Sequence, residues 1–160
     1  MDRPWEIELL GWLRVVQADR VINRFRTRKA EALLAYLAYF RHRSHPREQL
    51  VELLQPEGVP SAGLRRLSVE ITVLRRQLEP PGVPPGAVLI ATRTAIQLNP
   101  EACVTDVAHF EAALEAAKRA QTPVERAQQL AVAARLYRGE LLPGRFARRA
   151  PGGSSCRPAR

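Results

Sequence analysis

Residues 61–80 read SAGLRRLSVEITVLRRQLEP. Leu64, Leu67, Ile71, Leu74 and Leu78 recur at steps of three and four, which sets one apolar stripe along a helix. At 100° per residue, Arg65, Val69, Thr72 and Arg76 fall on the opposite face. Ser68 lies on the shoulder of that face, Arg66 flanks it, and Arg75 lies nearer the apolar edge. No Asp or Glu stands on its central line, although Glu70 leaves its boundary open. The spacing predicts a helix that buries one side and offers a basic, hydroxyl-bearing other side. Arginine suits phosphate oxygens and guanine edges, because its planar fork donates two parallel hydrogen bonds. A charge run on one isolated helix is usually only a solvated face, so the neighbouring sequence has to decide.

Size and charge set the bounds. The 160 residues allow one ordinary domain, or one small domain and a fragment, and 46% hydrophobic content is enough for a core. The net charge of +9 is unevenly spread. Residues 1–98 carry 15 basic and 10 acidic side chains, residues 99–144 carry 5 and 6, and residues 145–160 carry 5 and 0. Basicity concentrated in this way points to a polyanionic partner.

Several classes are disfavoured. No apolar run approaches the ~20 residues that span a bilayer. The opening MDRPWEIE is acidic and mixed, unlike a secretory signal. Cys103 and Cys156 are far apart with no ligand-like spacing, which fits a reducing cytoplasm. His42 and His45 have no accompanying ligand pair, so no metal site and no cofactor are expected. The chain has no GxGxxG, GxxxxGK[ST], GxSxG or HExxH motif, and no enzymatic activity is expected.

Trp5 to Ile22 reads as short strands: Ile7 and Leu9 alternate with Glu6 and Glu8, Gly11 interrupts, and Gln17 to Arg20 turns the chain. A small antiparallel sheet is expected there. The period then lengthens. Thr27 is placed to cap a helix with Glu31 in its first turn, and Ala30, Leu33, Leu34 and Leu37 form its buried stripe, widened by Tyr36, Tyr39 and Phe40. Arg41, His42 and Arg43 end it. Ser44 is expected to cap the next helix, with Pro46 in its first turn and Leu50, Leu53 and Leu54 in the core. Residues 55–60 form a loop, the helix of 61–78 follows, and Pro80-Pro81-Gly82 stops it. Val88 to Ile90 and Ala95 to Leu98 read as a hairpin turning at Thr92-Arg93-Thr94. A small sheet, three helices and a hairpin make the winged form of helix-turn-helix, in which the third helix enters the major groove.

The segments FRTRKAEALLAYLAY, QPEG, LRRLSVEITVLRRQLEP and LIATRTAIQLNP, after the opening IELLGWLRV, resemble the OmpR/PhoB-type DNA-binding domain of bacterial transcriptional activators. More closely they resemble the SARP type, which continues into a bacterial transcriptional activator domain (BTAD) of TPR-like fold; DVAHFEAAL and AARLYRGELLPG are similar to its start. The resemblance spans about residues 5–144. It implies that Arg65, Arg66, Ser68, Val69, Thr72, Arg75 and Arg76 lie on a recognition helix, and Thr92 and Arg93 on the wing. Thr94-Ala95-Ile96 stands where the commonest wing pattern is Gly-Gly-Tyr. It further implies a cytoplasmic activator of transcription that binds double-stranded DNA at tandem direct repeats, with RNA polymerase and a second copy on DNA as candidate partners and no membrane contact.

The expected organisation is a winged helix over 1–100, a partial BTAD over 101–144 and a basic disordered tail over 145–160. In the second segment Asp106 is placed to cap a helix lined by Val107, Phe110, Leu114 and Ala117. Pro123 opens another, lined by Ala127, Leu130, Ala134 and Tyr137. One such pair is of TPR size, while arrays of this kind need about three repeats to bury their faces. The tail RFARRAPGGSSCRPAR has no apolar period and is expected to be a truncated or frame-shifted end. Two rivals remain: a TPR-type protein-interaction adaptor whose basic helix is only solvated, and a single-strand or RNA binder, weakened by the lack of evident stacking aromatics.

Overall fold

The computed structural model describes residues 3–142. The tail expected over 145–160 lies outside the described residues.

Three strands open the chain: β1 (Trp5–Glu8), β2 (Arg14–Gln17) and β3 (Arg20–Ile22). They pair as an antiparallel meander, with Ile7 opposite Val15 and Val15 opposite Ile22, so one face of alternate residues is buried. Three helices follow: α1 (Arg28–Tyr39), α2 (Arg47–Leu54) and α3 (Pro60–Leu78). Between α1 and α2 lies a short strand, β4 (His45–Pro46), and after α3 come β5 (Leu89–Ala91) and β6 (Ala95–Leu98). These last three form a second sheet in the order β4-β6-β5. The chain then runs through β7 (Cys103–Thr105) into a helical hairpin of α4 (Asp106–Arg119) and α5 (Pro123–Leu136). The order supports a winged-helix arrangement: sheet, three helices, wing.

The first sheet departs from the expected antiparallel one. Its order is β3-β2-β1-β7, and β7 pairs parallel to β1, with Trp5 beside Cys103 and Ile7 beside Thr105. A parallel neighbour needs a long crossover, which here consists of all three helices and the hairpin. Arg41 secures β7 by donating to the carbonyl of Cys103 at 2.8 Å. Only three residues long, β7 is too short for alternation to announce it.

The core joins the first sheet to the helices. Ile7, Leu9, Leu33, Leu34, Leu37, Leu67, Leu74 and Ile96 are fully or almost fully buried, as the stripes of α1 and α3 require. Thr27 caps α1 as expected, its hydroxyl accepting the amide of Ala30 at 3.0 Å. Ser44 does not cap α2: Pro46 occupies that position without a side-chain hydrogen bond, because His45 and Pro46 pair with Ile96 and Ala95 in the second sheet. In α2, Leu50 and Val51 are the buried residues, with Leu53 and Leu54 half-buried. Gly63 lets α3 approach α2 closely, since a side chain there would collide with Val51 Cγ1.

Two expectations for the helical hairpin also change. Thr105, rather than Asp106, caps α4, accepting the Ala108 amide at 3.1 Å. Asp106 is freed to turn its carboxylate on β1's end, where it accepts the amides of Leu9 (2.8 Å) and Leu10 (3.0 Å). In α5, Ala133 is the buried residue, whereas Ala127, Leu130 and Ala134, with Tyr137 at the C-cap, are exposed. Alanine is so frequent in α5 that several faces fit the spacing equally well, and packing chose another. Past α5 the chain returns to the first sheet: Leu10 bridges Leu141, Gly11 donates to the carbonyl of Glu140 and Leu142 to that of Leu9. Arg138 adds an ion pair to the buried carboxylate of Glu8 at 2.6 Å.

Candidate nucleic-acid interface

Helix α3 fits its sequence at both ends. Pro60 sits in its first turn, where a missing amide proton breaks no helical hydrogen bond. At its other end the buried carboxylate of Glu79 accepts the amides of Gly86, Val88 and Leu89, which fastens the following loop to the helix. Leu67, Ile71, Leu74 and Leu78 are buried, and the opposite face is open to solvent.

The exposed face carries Arg65, Arg66, Ser68, Val69, Thr72 and Arg76. Among the described residues, Arg65 and Arg76 make no side-chain hydrogen bond or ion pair. Val69 is 60% exposed in the middle of this face, where an ordinary solvated helix would place a polar residue. Arg66 donates to Gln55 Oε1 at 2.8 Å, which steadies it over the α2–α3 loop. The hydroxyls of Ser68 and Thr72 donate back to the carbonyls four residues earlier, Leu64 and Ser68, so each presents its lone pairs outward.

Two charged residues of α3 behave otherwise. Arg75 points to the hairpin, where it donates to the carbonyl of Leu89 at 3.0 Å and pairs with Glu79 at 3.1 Å. Glu70, the acidic residue among the arginines, is buried and turned away from the exposed face, accepting a hydrogen bond from the Thr27 hydroxyl. Its removal from the surface leaves the open face of α3 free of acidic side chains between Arg65 and Arg76.

On the wing, Thr92, Arg93 and Thr94 are all exposed. The Thr92 hydroxyl shapes the turn itself: it accepts the Ala95 amide at 3.0 Å, and the Thr92 amide donates to the Ala95 carbonyl at 2.9 Å. Arg93 is therefore carried at the tip of a pinned turn.

Arg47, which the periodicity of the sequence does not mark, stands between the two elements. Its Nε donates to the Thr92 carbonyl at 2.9 Å, its backbone amide to the Thr94 carbonyl at 2.9 Å, and its Nη1 to Ser68 Oγ at 3.3 Å. The only hint in the sequence is a lone arginine after His45-Pro46. Behind it His45 is buried against Tyr36 and Phe40, and burial holds its imidazole below the usual histidine range. Arg43 lowers it further, while the Phe40 carbonyl opposes both. Among the described residues, no group of three or more His, Cys, Asp or Glu is placed to hold a metal ion. No helix of the described residues is long and apolar enough to cross a membrane.

No family model and no curated protein matches the sequence. Among solved structures the chain is similar to Mycobacterium tuberculosis EmbR, determined in complex with a low affinity phosphopeptide. The TM-score is 0.71 at 26% sequence identity, over 86% of this chain and 37% of that one. The chain thus spans little more than a third of EmbR's length. EmbR is a SARP-family regulator, and the likeness supports a SARP-like winged-helix fold for this chain.

Proposed function

We propose that this chain is a sequence-specific double-stranded DNA-binding regulator of transcription, without enzymatic activity, that acts in the cytoplasm. One observation carries the reading: with Glu70 buried, the exposed face of α3 presents Arg65, Arg66, Val69, Thr72 and Arg76 and no acid. Arginines there would set affinity through phosphates, and Arg, Ser, Thr and Val at base edges would set sequence choice. Arg93 would meet the backbone from the wing. The hairpin of α4 and α5 would be a TPR-like helix pair of a BTAD, and the protein would act as an activator of transcription. Two copies would sit on tandem direct repeats spaced about one helical turn, ~10–11 base pairs, on one face of the duplex. RNA polymerase is the expected further partner.

Selection from random duplexes, followed by a salt titration on the selected site, tests this. A linear fall of log affinity with log salt, of slope about −0.9 per phosphate contacted, is expected. Failure to prefer any duplex would sink the reading. A second reading has its own support, since Val124, Leu130, Val132, Tyr137 and Leu141 are exposed on and beyond α5. That apolar surface suits a protein partner, and an adaptor of this kind would show no salt-dependent duplex binding.

A further inference from the structure

We propose that Arg47 is a strap that locks the wing to the recognition helix and receives a DNA phosphate in the gap between them. The inference rests on the duplex-binding reading above. Its basis is the geometry around one guanidinium. Arg47 Nε is held by the Thr92 carbonyl at 2.9 Å and Nη1 by Ser68 Oγ at 3.3 Å. The Arg47 amide is held by the Thr94 carbonyl at 2.9 Å. One residue thus bonds both sides of the wing turn and the exposed face of α3. Arg75 also joins α3 to the hairpin, at the Leu89 carbonyl, but no other side chain among the described residues bridges the exposed face of α3 to the wing turn.

The chemistry of the fork then does two things. Its plane is fixed by two bonds in different directions, so the separation of Thr92 from Ser68 is set by a rigid group. Two of the five N–H donors are used in this way, and the remaining donors have no hydrogen-bond partner among the described residues. Arg47 is half-exposed, so those donors are accessible to a ligand. An oriented guanidinium with unused donors, between Ser68 and the Thr92 turn that carries Arg93, fits one phosphate of a backbone passing between helix and wing. Lysine cannot reproduce this, since a single ammonium lacks the planar spacing to hold Ser68 and Thr92 together while meeting a phosphate.

The full 160-residue chain with Arg47→Ala and with Arg47→Lys provides the test. Each is titrated with salt on the duplex selected by the unsubstituted chain and on a scrambled duplex. Arg47→Ala is expected to weaken binding to the selected duplex roughly ten- to hundredfold, the loss of one charge-assisted contact. It should also make the salt slope shallower by about 0.9 and shrink the preference over the scrambled duplex. Arg47→Lys is expected to restore the slope and leave the preference reduced. Unchanged slope and preference in Arg47→Ala would overturn the strap and the phosphate together. Full recovery of both by Arg47→Lys would reduce Arg47 to a charge and overturn the strap. If the unsubstituted chain selects no duplex, the proposed function itself fails; if it selects one and Arg47→Ala matches it, only this inference fails.

Discussion

Thr27 and Glu70 meet across 43 positions of sequence: the Thr27 hydroxyl donates to Glu70 Oε2 while its oxygen accepts the Ala30 amide. One side chain therefore caps α1 and ties it to α3, and an acidic residue is removed from the basic face. Glu70→Ala should lower stability by about 1–3 kcal/mol, because a half-buried hydroxyl loses its acceptor. Duplex affinity of the folded protein should stay the same. Urea unfolding with an unchanged m value, beside a binding titration, checks both. An unchanged midpoint would mean the pair contributes nothing.

Arg65→Ala and Arg76→Ala should each weaken duplex binding by about 1–3 kcal/mol if the arginine meets a base edge, and relax sequence preference at that position. A phosphate contact would instead weaken all sequences alike. Neither change should shift the melting temperature, since both side chains are exposed. Unaltered affinity in both variants would remove α3 from the interface.

Ile71 and Val69 separate the two faces of one helix. Ile71 is 4% exposed and Val69 60%. Ile71→Ala should cost roughly 2–5 kcal/mol of stability, and Val69→Ala less than about 0.5 kcal/mol. Val69→Ala should instead reduce preference for thymine at one position, where a methyl group has lost its apolar neighbour. Equal stability losses in the two variants would contradict the assigned faces.

His45 gives the protein an acid-side sensitivity. Its folded pKa lies below the ordinary 6.5, chiefly because burial disfavours the imidazolium. The unfolded chain therefore takes up a proton first, and the stability that the neutral ring contributes is complete above pH 6.5 and lost as pH falls below it. His45→Phe should flatten the pH dependence of the melting temperature in that window. A variant as pH-sensitive as the unsubstituted protein would assign the effect elsewhere.

Asp106→Ala should lower stability by about 1–3 kcal/mol for each of the Leu9 and Leu10 amides left without an acceptor. Arg138→Ala should add a smaller loss, because Arg138 is partly exposed and the buried Glu8 keeps Arg14 as a second partner at 3.4 Å. Amide exchange at Leu9 and Leu10 is the direct readout. Unchanged protection there in Asp106→Ala would show that the carboxylate does not hold these amides.

Much of the architecture was legible because it is periodic. The buried stripes of α1 and α3, the Thr27 cap and the turn at Thr92 follow from spacing and residue type alone. What was not legible rests on distant partners. Glu70 looks like a surface acid until Thr27 is found beside it. Arg47 is an unremarkable position in an eight-residue helix until the wing folds back to it. Ser44 was a good capping residue in the wrong place, because strand pairing by His45 and Pro46 competed for the same backbone. Asp106 and Thr105 are both able caps, and the amides of Leu9 and Leu10 decided between them. In α5 the abundance of alanine left the helix without a distinctive stripe, so its buried residue could not be read.

The parallel pairing of β1 with β7 has a consequence for how the chain is made. During synthesis β1 emerges among the first residues, yet its neighbour lies about a hundred positions later, so the sheet stays incomplete until the three helices and the wing have all been translated. Until then β1 has an unpaired edge along Trp5 to Ile7, a surface that invites strand exchange between nascent copies. A laboratory fragment cut at residue 100 would hold that state permanently. One carried through Leu142 would close the edge and retain Asp106 and the returning Leu141 at the end of β1.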